Sequence, residues 1–233
     1  MSDITKLIKD LRNKTGAGFL DCKNALSQND NNIEKAVEHL RKKGLAKASK
    51  KTSREANEGA IGIYNNEKIN IILKINTETD FAAKSETFLK FMDELGNFAV
   101  SLKDNNITRD DFLKTKYKDI SISEYFNNMI AKIGENIILN DLIVVDTENS
   151  KSSYYVHNSY SKNIGKIISL INYQADNNDK KIMELAKNLC MHIAAMKPDS
   201  LNIDDLDKKI IENEKNIQKE LIASSGKPSN IIE

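Results

Sequence analysis

The feature that most constrains the fold is a change in the spacing of apolar residues between positions 69 and 102. In INIILKI (Ile69–Ile75) the odd-numbered positions are all apolar, as in a β-strand. After Thr77–Asp80, apolar residues recur at spacings of three and four, as on one face of a helix: Phe88, Met92, Leu95, Ala99 and Leu102. A strand therefore runs into a helix through a short acidic corner, which Phe81 directly follows.

Phe81 has two alternative roles at this corner. It could pack beneath its own helix against Phe88, while Asp80 caps a helix of about Ser85–Leu102, because Asp is common at helix N-termini. Alternatively, it faces outward and binds a partner. The residues by themselves favour the packed arrangement.

Residues 1–54 are predicted to form a helical module with a basic linker. Three stripes of apolar residues indicate three short helices, which must pack on one another because isolated helices of this length are marginal in water. The linker, RKKGLAKASKKTSR at residues 41–54, contains seven Lys or Arg residues and no acidic residue. It is either a solvated helix end or a basic docking strip for an acidic partner.

The remaining chain is predicted to be α+β. A β-hairpin is expected at residues 59–76, a helix at about 123–133 ended by Gly134, four β segments between 137 and 171, and a helix at about 179–196. We predict a first core subdomain at residues 55–136 and a second at 137–200. A charged helical arm, truncated in this sequence, is predicted at 201–233.

The two predicted subdomains contain a repeated strand–corner–helix pattern. INIILKINTETDF followed by a helix is similar to IGKIISLINYQADN followed by a helix. Asp80 then corresponds to Asp176, and Phe81 to Asn177. Only the first copy therefore presents an aromatic side chain at the corner.

The sequence offers no candidate for covalent chemistry. The three histidines are not clustered with cysteines at zinc-ligand spacing, and SSGKPS at residues 224–229 lacks the upstream glycine of a phosphate-binding loop. We therefore expect neither enzyme activity, nor a cofactor, nor a metal. Cys22 and Cys190 are expected to be buried free thiols.

The chain also lacks the signals of export or of membrane insertion. No apolar run approaches the ~20 residues that span a bilayer, and MSDITKLIKDLRNK at the N-terminus has no apolar signal core. A cytoplasmic location is expected. With a net charge of +1 and no array of alternating basic and aromatic residues, direct binding to nucleic acid is not expected.

Several motifs, taken in order, closely resemble the elongation factor Ts family. They are TGAGFLDCKNAL (Thr15–Leu26), TDFAAK (Thr79–Lys84), IGEN (Ile133–Asn136), MHIAAMKP (Met191–Pro198) and SGKP (Ser225–Pro228). The resemblance implies a factor that binds elongation factor Tu in its GDP form and speeds GDP release. It also implies an N-terminal module with a ubiquitin-associated fold, two related α+β subdomains, and a coiled-coil insertion that corresponds to the charged arm.

The resemblance further implies roles for individual residues. The corner would be pushed into the GTPase near its magnesium and phosphate site, and its residues would be Thr79, Asp80, Phe81 and Ala82. The N-terminal module would dock on the GTPase through Arg12, Phe19, Leu20 and Lys23. With this resemblance, the outward-facing role of Phe81 becomes the favoured one.

Two further expectations follow from the resemblance. Family members with two subdomains usually continue beyond SGKP with a helix, a return strand and a C-terminal helical module, so we expect a shortened chain or a fragment. The arm is compatible with a homodimer and with a two-to-two complex with elongation factor Tu, and both alternatives stay open. The rival hypothesis is a binding module that docks ribosome, RNA or nascent chain through residues 1–54.

Overall fold

The computed structural model describes residues 3–102, 104–176 and 179–224. Its helices are α1 (Asp3–Thr15), α2 (Phe19–Ser27), α3 (Ile33–Ser49), α4 (Asp80–Lys84), α5 (Glu86–Ser101), α6 (Arg109–Lys114), α7 (Ile122–Ile133), α8 (Lys180–Met196) and α9 (Lys208–Ser224). Its strands are β1 (Glu58–Asn65), β2 (Ile69–Thr77), β3 (Lys116–Tyr117), β4 (Ile120–Ser121), β5 (Ile137–Asp146), β6 (Lys151–Ser159) and β7 (Ile164–Tyr173). The predicted α+β class is confirmed.

The N-terminal module consists of α1, α2 and α3, as predicted. Gly16 adopts a φ of +68° and donates its N–H to the Arg12 carbonyl at 2.8 Å, so it ends α1 in a conformation that glycine tolerates best. The side chain of Asn32 caps α3 by accepting from Lys35 N at 3.0 Å. The three helices enclose a small apolar core formed by Ile8, Leu11, Cys22, Ala25, Leu26, Ala36 and Leu40.

The main sheet has five antiparallel strands in the order β5-β2-β1-β7-β6. The predicted hairpin is β1–β2. Two segments predicted as separate, Ile137–Leu139 and Leu142–Val145, form the single strand β5. Asn140 is an extra residue in β5, because Lys74 pairs with Asp141 and Ile75 with Leu139. A β-bulge therefore explains the apparent break in the alternating pattern.

The sheet curls so that strands that are not neighbours approach each other. Asn70 on β2 donates its amide to the Ser152 hydroxyl on β6 at 3.0 Å. Asn172 on β7 donates to the carbonyl of Asp146 at the end of β5 at 2.9 Å. The strands of both predicted subdomains thus belong to one sheet, and the division at residues 136/137 stays a prediction.

Helix α5 covers one face of β1 and β2 and builds the larger core with α7. Phe91 lies 5.0 Å from Phe126 and 5.2 Å from Tyr125 between ring centroids. Gly134 ends α7 with a φ of +89°, as the sequence predicted.

The weakly patterned stretch before α7 contains α6 and the two-strand pair β3–β4, none of which the sequence analysis assigned. The carboxylate of Glu94 on α5 holds this region, because its Oε2 accepts from Tyr117 at 3.2 Å, Lys118 at 2.6 Å and Tyr125 at 2.7 Å.

The strand–corner–helix order recurs, but the two corners differ. Asp80 is the first residue of α4, whereas Asp176 lies in a bend four residues before α8 begins. Asn177, the predicted counterpart of Phe81, lies outside the described residues. Cys190 on α8 is buried, and its thiol donates to the Ser153 carbonyl at 3.2 Å.

The chain divides into two compact units, Met1–Met191 and His192–Glu233. In the described part of the second unit, a short 3₁₀ helix at Ile203–Asp205 precedes α9. The apolar side chains Ile210, Ile217 and Leu221 of α9 are exposed. The SGKP motif at residues 225–228 lies outside the described residues.

Candidate functional site

The corner after β2 contains two successive helix starts. The Thr79 hydroxyl accepts from Ala82 N at 3.2 Å and caps the five-residue helix α4. Ser85 then adopts an extended conformation, with φ −66° and ψ 142°, and its hydroxyl caps α5 by accepting from Phe88 N at 3.3 Å. The alternative in which Asp80 caps the long helix is therefore not observed, because the Ser85 hydroxyl is the cap of α5.

Phe81 points away from the core. Its side chain is 83% exposed, whereas Phe88 is fully buried, so Phe81 does not pack beneath its own helix. The next two residues, Ala82 and Ala83, are buried and turn the inner side of α4 toward the protein. The local sequence thus fixes α4 by its alanines and leaves the aromatic ring in solvent.

Asp80 is paired with Lys84 one helical turn away. Lys84 Nζ lies 2.7 Å from Asp80 Oδ2, and this hydrogen bond lowers the pKa of the Asp80 carboxyl below its ordinary value. The same contact raises the pKa of Lys84. An ion pair between Asp80 and Lys84 therefore lies beside the exposed ring of Phe81.

Glu135, which the sequence marks only as part of the IGEN motif, fixes the corner through Thr79. Its Oε2 accepts from Thr79 N at 2.9 Å and its Oε1 accepts from the Thr79 hydroxyl at 2.7 Å. Thr79 and Glu135 are 56 positions apart in the sequence, so no local pattern could have paired them. The family motifs TDFAAK and IGEN are brought together here.

The residues predicted to dock a partner from the N-terminal module form an exposed set. Phe19 is 51% exposed and Leu20 is 71% exposed, although both are large and apolar. Arg12 on α1 and Lys23 on α2 are exposed as well. Lys23 lies one turn after Phe19 and Leu20 along α2, so the helix presents two apolar residues next to a cation.

The basic segment at residues 41–54 largely contacts its own chain. Arg41 pairs with Glu124 on α7, and Lys43 Nζ lies 2.9 Å from Asp21 Oδ1. Arg54 Nη1 lies 3.4 Å from Glu78 Oε2. The contacts of Arg41 and Arg54 join the module and the linker to the core, whereas the contact of Lys43 lies within the module, so these three cations are engaged within the chain.

Contacts between small residues complete the junction of α3 with α7. A Cβ added at Gly44 would lie 3.1 Å from the Cβ of Ala131, so the two helices approach closely at this point. A cavity of about 370 Å³ lies beside this junction, and its lining includes Lys14, Gly18, Lys43 and Lys132.

The described residues contain no group of three or more His, Cys, Asp or Glu side chains that could hold a metal ion. Burial raises the pKa of the Cys22 and Cys190 thiols. No helix in the part of the chain that the structure describes is both long and apolar enough to cross a membrane.

Comparison with known proteins identifies the relatives of this chain. The family model described as Elongation factor TS matches residues 78–233. Elongation factor Ts of Ehrlichia canis (strain Jake) is 39% identical over 227 residues, covering 97% of this chain and 78% of the relative. The proteins of the same name from Syntrophotalea carbinolica and Clostridioides difficile are both 37% identical, covering 100% of this chain and 76% of each relative.

Proposed function

Because this chain belongs to the elongation factor Ts family, we propose that it binds elongation factor Tu in its GDP form and promotes GDP release. Exchange takes place without a covalent step, and the emptied GTPase can then bind GTP. The corner residues Asp80 and Phe81 act as a wedge near the partner's magnesium and phosphate site. This role places the protein in the cytoplasm with the translation machinery.

The observation that supports this proposal is the exposure of Phe81 on a firmly capped corner. An aromatic ring that is 83% exposed contributes little to the stability of its own fold. Buried in a pocket of a partner, the same ring contributes ~1.5–3 kcal/mol from its apolar area. Aromatic anchors of this kind typically dominate binding energy at interfaces.

A wedge acts on the nucleotide through the geometry of the partner's magnesium ion. Mg²⁺ requires nearly ideal octahedral coordination and bridges phosphate oxygens to the GTPase. Displacement of a neighbouring element by about an ångström weakens this coordination and therefore weakens the binding of GDP to the GTPase. Asp80 enters the same region together with Lys84, its ion-pair partner, so the corner brings both charges close to the phosphates.

The N-terminal module supplies the second part of the interface. Phe19 and Leu20 provide apolar area, while Arg12 and Lys23 provide positive charge at its rim. Docking through this surface provides binding energy that is available to drive the corner into the GTPase. Linkage then requires that GDP weakens binding of the factor by the same ratio as the factor weakens binding of GDP.

The test is the release of a fluorescent GDP analogue from elongation factor Tu, measured with wild-type factor and with Phe81→Ala. Loss of ~1.5–3 kcal/mol predicts that stimulated release falls at least about tenfold. Ile143→Ala is the matched control, because Ile143 is an exposed apolar residue on β5. Equal release rates with wild type and Phe81→Ala would exclude the wedge.

A further inference from the structure

We propose that Glu135 and Asn136 are positioning residues that fix the corner and couple it to the linker after the N-terminal module. Together with Glu78, we call them the latch. The inference rests on the proposed wedge role of Phe81 and adds to it a set of residues that act by positioning the corner.

The first part of the latch controls the start of α4. The Thr79 hydroxyl donates to Glu135 Oε1 at 2.7 Å and accepts from Ala82 N at 3.2 Å, so Glu135 orients the group that caps the helix. Thr79 N donates to the other carboxylate oxygen at 2.9 Å. A helix of five residues is too short to be stable by itself. The orientation of Phe81, two residues after Thr79, therefore depends on these contacts.

The second part of the latch joins the corner to the linker. Asn136 N donates to Glu78 Oε1 at 2.6 Å, and the Asn136 side chain donates to the Arg54 carbonyl at 2.7 Å. Arg54 closes the set, since its Nη1 lies 3.4 Å from Glu78 Oε2. Asn136 is 1% exposed, so water does not compete for its hydrogen bonds with Glu78 and Arg54.

Contacts with the linker and with the corner come from one short segment of chain, residues 134–136. Gly134 accepts a hydrogen bond from Lys51, Glu135 binds Thr79, and Asn136 binds both the linker and Glu78. A segment that is already ordered does not have to be immobilised when the partner binds. The latch thus holds Phe81 in a defined position before the partner binds.

Glu135→Gln is a sharp test because it keeps the shape of the side chain. One of its two terminal atoms becomes an NH₂ group, which faces a donor on Thr79 and cannot accept a hydrogen bond. We expect the maximal rate of GDP release at saturating factor to fall about tenfold, because misplacement of a group by 1 Å can reduce rates by about a hundredfold. The factor concentration at half-maximal rate should change less than about twofold, since the module surface is intact.

Glu86→Gln is the matched control. Glu86 lies in the first turn of α5, is exposed, and accepts from Lys90 Nζ at 2.6 Å. The substitution removes an identical charge close to the corner without touching Thr79. We expect its maximal release rate and its half-maximal concentration to equal those of the wild type.

The double variant Glu135→Gln/Phe81→Ala decides whether Glu135 acts through Phe81. We expect it to be no slower than Phe81→Ala alone, because residues that act through one contact are not additive. An equal fold-loss from Glu135→Gln in both backgrounds would overturn the inference.

Amide hydrogen exchange tests the role of the latch independently of the role of the wedge. Ala82 N and Ala83 N donate to Thr79 at 3.2 and 3.3 Å, so their exchange should become faster in Glu135→Gln and not in Glu86→Gln. Unchanged exchange at both amides would overturn the latch. If Phe81→Ala alone left release unchanged, the wedge would fail, and this exchange measurement would still decide whether Glu135 positions the corner.

Discussion

Gly96 on α5 lies against the ring of Tyr64, and this contact leaves no room for a side chain. A Cβ at Gly96 would lie 2.1 Å from Cδ2 and 2.2 Å from Cε2 of Tyr64. The ring cannot easily move away, because Tyr64 is buried and its hydroxyl donates to Asp93 Oδ1 at 3.2 Å. Gly62 also lies close to it, since a Cβ there would be 2.7 Å from Tyr64 Cε2.

Two opposing effects decide what Gly96→Ala does to stability. Ala in the interior of a helix is more favourable than Gly by ~0.5–1 kcal/mol, so without a clash the variant would be more stable. Overpacking a core costs ~1–3 kcal/mol, and a separation of 2.1 Å demands the upper part of that range. We therefore expect a net loss of about 1–2 kcal/mol in the free energy of unfolding.

Thermal unfolding followed by circular dichroism measures this loss. In a chain of this size, 1 kcal/mol shifts Tm by about 2–4 °C, so the expected decrease is about 2–8 °C. Gly18→Ala is the control for steric crowding, because a Cβ there meets no atom within 4 Å and φ is an ordinary −62°; any decrease in its Tm reflects only the loss of glycine at the N-cap of α2. An increase in Tm for Gly96→Ala would refute the reasoning, since it would show that the ring moves at little cost.

Two further predictions concern the docking surface and the response to acid. Leu20→Ala should weaken association with elongation factor Tu by about 5- to 30-fold, corresponding to ~1–2 kcal/mol, because Leu20 is exposed and apolar; unchanged affinity by titration calorimetry would contradict its docking role. The hydrogen bonds from Lys118 and Tyr125 lower the pKa of Glu94, so its stabilisation is present above the ordinary value of 4.5 and is lost as pH falls through the lowered pKa. Glu94→Gln should therefore have a lower Tm than the wild type at pH 7, and its Tm should decrease less than that of the wild type between about pH 5 and pH 3. An identical pH dependence of Tm in the variant and the wild type would contradict this.

Sequence patterns predicted the elements that depend on local periodicity. The three helices of the N-terminal module, the β1–β2 hairpin and the end of α7 at Gly134 were all predicted correctly. Each depends on apolar spacing or on a glycine that permits a positive φ, which are properties of a few adjacent residues. The outward direction of Phe81 was favoured only through the family resemblance.

The errors have physical causes beyond the local sequence. The helix predicted at about Ser85–Leu102 corresponds to α5, but the five-residue helix α4 before it was not predicted, because so short a helix has no apolar period. The continuity of β5 depends on the bulge at Asn140, which disturbs the alternation. The pairing of Thr79 with Glu135 spans 56 positions and depends on the tertiary fold.

The strand order of the curled sheet limits how early the protein can fold during its own synthesis. Strand β1 lies between β2, which follows it directly, and β7, whose pairing residue Ile164 comes much later. A ribosome that adds about 5–20 residues per second needs roughly 5–20 s for the about 100 residues between Gly62 and Ile164. During that time the second edge of β1 is without its partner strand, and open edges can pair with other chains. The time of translation itself therefore sets the earliest moment at which the sheet can be completed.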